Sequence, residues 1–170
     1  YALRGHKYVA AVIAFTAFLY GTTQAGLWVQ QAYYIELDIP VEYYGILMFV
    51  GMMLAGSSSV FGHMLEKHFT AECIMLILFT AVTVIYFVTA IHVALYAVVL
   101  LYISSVAYGL GMPVIQQSIN DHVSSERRAT ILSTGMLCAR FVFLPVSLLV
   151  GHAVDTQNVS IALLFMSVFL

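Results

Sequence analysis

IMLILFTAV, residues 74–82, decides the fold. Thr80 is its only polar residue, so the alternation of polarity that a membrane barrel strand of about ten residues needs is absent. Read outward, the stretch sits in a predominantly apolar run over 69–90. A helix needs roughly 20 such residues, at ~1.5 Å each, to cross a hydrocarbon core about 30 Å thick. Comparable runs occur at 8–34, 42–65, 93–119 and 127–153, and a shorter one at 159–170. The pattern predicts an all-α, polytopic transmembrane bundle forming one domain over 1–170, with five complete spans and part of a sixth.

Composition agrees with that reading. Of 170 residues, 62% are hydrophobic and 8% charged, whereas soluble domains run near about 45–50% apolar and about 25% charged. Too little charge is left to coat a water-soluble globule of this size. The net charge of −2 and the lack of any Lys/Arg run longer than two residues exclude the electrostatic footprint of a nucleic-acid binder. Cys73 and Cys138 lie in apolar stretches without metal or redox spacing, and read as small apolar side chains. The chain opens on Tyr1 and ends at Leu170 within an apolar run, so it is read as a fragment.

The connections are short, at 37–41 (with Pro40), 66–68, 91–92, 120–126 and 155–158, which makes successive helices antiparallel neighbours. Arg4 and Lys7, then Lys67, then Arg127 and Arg128 fall on one side of the membrane. Glu36, Asp38, Glu42 and Asp155 fall on the other. The positive-inside rule makes the first side cytoplasmic and places both termini there, in a cell (inner or plasma) membrane. Tyr33, Tyr34, Tyr43 and Tyr44 are expected to form an aromatic belt at the outer interface.

Several polar side chains fall inside spans. Arg140 lies twelve residues from Arg128, about 18 Å along the axis and near the midplane. An arginine there costs at least about 2.5–3.5 kcal/mol on insertion scales, so it is expected to face a cavity, a partner or both. Its counterpart is an acid elsewhere, backbone carbonyls with water, or an anionic substrate. Tyr20, Gln24, Trp28 and Gln31 follow helical spacing and form a polar and aromatic stripe, directed at the interior or at a wet pathway. Interhelical hydrogen bonding explains that stripe as well as a pathway does. A second stripe runs through Tyr102, Ser105, Gly109, Met112, Gln116 and Asn120. Gly109, Gly111 and Pro113 are expected to break or kink this helix. The small residues of the second span, from Gly45 to Gly62, predict close helix packing.

Two regions carry a family resemblance. One is the loop Gly62-His63-Met64-Leu65-Glu66-Lys67-His68-Phe69. The other comprises Tyr108-Gly109-Leu110-Gly111-Met112-Pro113, then Ser124-Ser125-Glu126-Arg127-Arg128-Ala129-Thr130, closing on Gly151-His152-Ala153-Val154-Asp155. In order and spacing they resemble the major facilitator superfamily of bacterial type, with Glu66 standing where that family usually has aspartate. The resemblance covers essentially the whole chain and implies spans seven to twelve, the C-terminal half of a 6+6 fold whose N-terminal six-helix half is the missing partner. It implies secondary active transport of a small molecule by alternating access, as a permease or efflux protein. Tyr20, Gln24, Trp28, Gln31, Tyr102, Ser105, Tyr108 and Arg140 would then line the substrate cavity. Glu66, Lys67, Glu126, Arg127 and Arg128 would form the cytoplasmic gate. The 124–128 stretch reads equally as a helix cap, with Ser124 or Ser125 accepting from free amides and Glu126 at the positive end of the dipole.

The expected partners are the lipid bilayer, a small-molecule substrate and the other half, with no nucleic acid. A non-transporting scaffold or receptor-like bundle is the alternative. The six histidines lie in loops or at span ends and form no HExxH pattern, and no phosphate loop or nucleophile elbow occurs. No enzyme activity, metal or cofactor is therefore expected.

Overall fold

The computed structural model describes residues 2–169, without the side chains of residues 2–6 and of His63. Arg4, His6 and His63 as side chains therefore lie outside what is described. Six α-helices follow in order: α1 (Ala2–Glu36), α2 (Tyr44–Leu65), α3 (Ala71–Ile91), α4 (Leu95–His122), α5 (Ser125–Thr156) and α6 (Val159–Phe169), with a 3-10 turn at Val41–Tyr43 before α2. Each expected span falls on one helix, and α1 to α5 are long and apolar enough to cross a membrane. The chain is a helical membrane protein. Its outward surface is apolar, as at Leu76, Phe141 and Leu148, each about two-thirds exposed or more, which suits lipid and not water.

Local chemistry sets the helix ends. After Glu36 the chain closes in a Schellman motif: Ile39 N–H donates to Tyr34 O at 3.0 Å and Asp38 N–H to Ile35 O at 3.0 Å. Asp38 takes the left-handed conformation this requires, φ 53°, which aspartate tolerates better than most residues. Pro40 follows and prevents the helix from continuing. Thr70 caps α3 by accepting from Cys73 N–H at 3.4 Å.

Helix α4 has no side-chain cap of its own at Ala94. The need is met from α1. The Tyr33 hydroxyl accepts from Ala94 N–H at 3.0 Å and donates to His92 O at 3.1 Å. Tyr33 and Tyr34 are fully buried, which corrects the belt expected from sequence; of the four tyrosines, Tyr43 is half exposed and suits that role. The pair turns inward because α1 ends against the α3–α4 connection and α2, where Tyr34 packs edge-on to Tyr44 at 5.2 Å. Tyr33→Phe is expected to cost about 1–3 kcal/mol, since it orphans a backbone donor at the start of α4. Denaturation in detergent micelles against wild type measures it.

Helix α1 packs most extensively on α5, α2 on α4, and α3 on α4 and α6, with α1 and α4 in direct contact, so the short loops do not make α1 and α2, or α2 and α3, the close neighbours expected. Part of the small-residue surface of α2 does the packing expected of it, while Gly45 and Gly56 meet nothing within 4 Å. A Cβ on Gly62 would meet Leu110 O at 2.9 Å and the Pro113 ring, and one on Gly51 would touch the Tyr102 ring at 3.5 Å. Between them the Ser58 hydroxyl donates across the interface to Val106 O at 3.2 Å. The expected break in α4 does not occur: the helix runs unbroken through Gly109, Gly111 and Pro113. Close support from α2 lets the helix carry a proline that removes one of its own hydrogen bonds.

Candidate functional site

A cavity of about 220 Å³ lies between α1, α2 and α4. Helix α1 lines it with Thr23, Gln24, Leu27 and Gln30, which recur every turn on one face. Helix α2 contributes Met48, Gly51, Met52 and Ala55. Ser104, Ser105 and Tyr108 close it from α4. Gly51 and Ala55 leave the space that larger side chains would fill, while the methionines supply adaptable apolar surface.

Hydrogen bonding in the wall is largely local. The Thr23 hydroxyl donates to Leu19 O at 2.6 Å, and Ser104 to Leu101 O at 2.6 Å. Tyr108 donates to the Tyr20 hydroxyl, and the two rings meet edge-on with centroids 4.7 Å apart. Gln30 is different. It is 6% exposed and its buried Nε2 has no hydrogen-bond partner among the described residues.

The chain matches no protein-family model, no curated protein and no solved structure. The residues themselves carry the functional argument.

Of the eight side chains expected at a substrate cavity, Gln24, Ser105 and Tyr108 line it. Tyr20 adjoins it through Tyr108. Gln31 points across to α2, with Nε2 3.5 Å from the Met48 sulfur, and Tyr102 donates to Leu47 O at 3.0 Å, so both act in α1–α2 and α2–α4 contacts. Trp28 does not line the cavity; it is 60% exposed on the outside of α1. Sequence spacing missed Thr23, Gln30 and Ser104. A Thr23, Leu27, Gln30 register was available, and only the packing of neighbouring helices selects it over the one through Trp28.

Arg140 lies at the middle of α5, exposed, with no hydrogen bond or ion pair among the described residues. It is within electrostatic reach of the Tyr108 hydroxyl and does not line the cavity. Its neighbour Ala139 is buried against α1, where a Cβ on Gly21 would approach Ala139 O to 2.9 Å. That contact holds the α5 backbone against α1.

The five residues expected at an inner gate divide. Arg128 binds the end of α4, donating from Nε to Val123 O at 3.1 Å and from a terminal nitrogen to Asn120 O at 2.9 Å. A cation there satisfies free carbonyls and complements the negative end of the helix dipole. Lys67, Glu126 and Arg127 are exposed and Glu66 is half-buried. Ser124 occupies the N-cap position of α5, but its side chain accepts no amide, which corrects the expected cap; Glu126 does sit in the first turn. At the same end Tyr8 stacks on His122, centroids 4.2 Å apart, joining the start of α1 to the end of α4.

Proposed function

We propose that this bundle is the C-terminal six-helix half of a major-facilitator-type secondary transporter, and that the α1–α2–α4 cavity belongs to its substrate pathway. One observation carries the reading: a mid-span arginine is exposed, with no hydrogen bond or ion pair among the described residues. Lipid is a poor neighbour for that group, so the face carrying it meets water, another set of helices, or both. A transporter supplies this arrangement, with two halves rocking around a polar site between them. The loop motif around Glu66 and Lys67 and the junction at 124–128 support the same family. By the positive-inside rule their charges support a cytoplasmic side for that end, in a plasma or inner membrane.

A scaffold bundle would need packing at this face but no water. Substituted cysteines separate the two, in a background lacking Cys73 and Cys138. In lipid nanodiscs, Gln24→Cys is expected to react with a water-soluble methanethiosulfonate, while Leu76→Cys on the lipid side stays unmodified. An inert Gln24→Cys would favour the scaffold.

A further inference from the structure

We propose that a phospholipid with a primary ammonium headgroup, such as phosphatidylethanolamine, binds between α1 and α3, with an acyl chain in an apolar groove and its ammonium in an acidic pocket at the end of that groove. The site shares no lining residue with the α1–α2–α4 cavity. The inference does not rest on the transport reading.

Helices α1 and α3 each pack on α4 and leave a groove of about 410 Å³ between them. Ala11, Val12 and Phe15 line it from α1, and Met75, Leu76 and Phe79 from α3. Counted from Tyr8 and from Glu72, both sets fall three, four and seven residues on, so one face of each helix borders the groove over about 10 Å. The Phe15 and Phe79 rings meet at the end far from Tyr8, centroids 5.7 Å apart. Leu76 is 66% exposed, so the groove opens sideways into the bilayer, where hydrocarbon chains are the available occupants.

Tyr8 and Glu72 also line a second, polar space of about 520 Å³. Glu66, Asp121 and His122 border it as well, and among the described residues no lysine or arginine does. Glu72 lies in the first turn of α3, while Asp121 and His122 end α4, which sets this pocket at the membrane surface. Glu72 and Asp121 are exposed, so their oxygens are open to a ligand. Asp121 accepts one bond, from Gln117 at 2.8 Å, and a carboxylate has lone pairs to spare. Among the described residues no three His, Cys, Asp or Glu side chains gather closely enough to hold a metal ion. Carboxylates spread around a pocket suit an ammonium, whose three N–H donors reach separate acceptors.

Neither space selects a ligand alone. An exposed ion pair is weak, and an apolar groove accepts any chain. Their junction at Tyr8 and Glu72 does select: a chain in the groove holds its own headgroup at the pocket and raises the local concentration of the ammonium. A soluble amine lacks that tether, and an anionic headgroup is repelled by the carboxylates.

The purified chain in detergent, offered equal amounts of phosphatidylethanolamine, phosphatidylcholine and phosphatidylglycerol with the same acyl chains, tests this by native mass spectrometry. One phosphatidylethanolamine is expected to stay bound, preferred about tenfold over each of the others, the worth of one charge-assisted hydrogen bond. Glu72→Gln combined with Asp121→Asn should remove the preference. Ala11→Trp, at an exposed position on the groove, should abolish the preferential binding with the carboxylates intact, and it decides the matter if the double variant does not fold. Thermal unfolding should shift upward with phosphatidylethanolamine and not with glycerophosphoethanolamine, the same headgroup without chains. The proposal is overturned if the three lipids bind alike, if phosphatidylcholine or phosphatidylglycerol is preferred, if a folded variant keeps the wild-type preference, or if the chainless headgroup stabilises the protein as well as the lipid does.

Discussion

Gly109→Ala is expected to unfold the α2–α4 pair or force it apart, at a cost of about 3 kcal/mol or more. A Cβ at this position would overlap both Ala55 O and Ser58 Oγ. The first is backbone and cannot rotate aside; the second is held by its bonds to Ala55 O and Val106 O. Relief therefore requires the helices to separate, which also loosens the cavity wall at Ala55 and Ser105. Gly56→Ala on α2 is the control, because a Cβ there meets nothing within 4 Å. It should be neutral or stabilising, by up to ~1 kcal/mol from helix propensity. Unfolding of both variants in mixed micelles gives the comparison, and similar effects from the two would contradict this packing.

Arg140→Leu should make α5 enter the bilayer more readily by about 3 kcal/mol, since the scale runs from roughly +3 for arginine to below zero for leucine at a helix centre. That is more than a hundredfold in the inserted fraction. In the folded protein the same change should cost no stability, as Arg140 has no hydrogen bond among the described residues to lose. Transport should nevertheless fail if the charge serves the polar pathway. Insertion of the isolated α5 segment into microsomes, thermal unfolding and uptake into proteoliposomes read the three effects separately. Unchanged uptake would remove Arg140 from the mechanism, and lost stability would mean that its charge is paired within this chain.

The helices were legible because a span needs little more than length and hydropathy, which residues 69–90 display without help from other parts of the chain. The close face of α2 was legible too, since Gly51, Ser58 and Gly62 share one side of a helix. The site was only half legible. Spacing found Gln24, Ser105 and Tyr108, but Gln30 and Gln31 are adjacent and differ by about 100° around the axis. Only the positions of α2 and α4 decide that Gln30 turns inward. Trp28, drawn into the stripe by its spacing, lies outside the cavity on the exposed face of α1. Tyr33 looked like an interfacial anchor, because nothing near Ala94 in the sequence shows that α4 lacks a cap. Pro113 suggested a broken helix, and the support that keeps α4 intact comes from residues some fifty positions earlier.

Sealed membrane vesicles of known orientation offer the most direct test of a water-accessible pathway through this bundle. Ser105→Cys, in a protein without Cys73 and Cys138, should be modified by an impermeant thiol reagent supplied from either side, as the pathway opens alternately. Modification from one side only, or from neither, would contradict alternating access at this cavity.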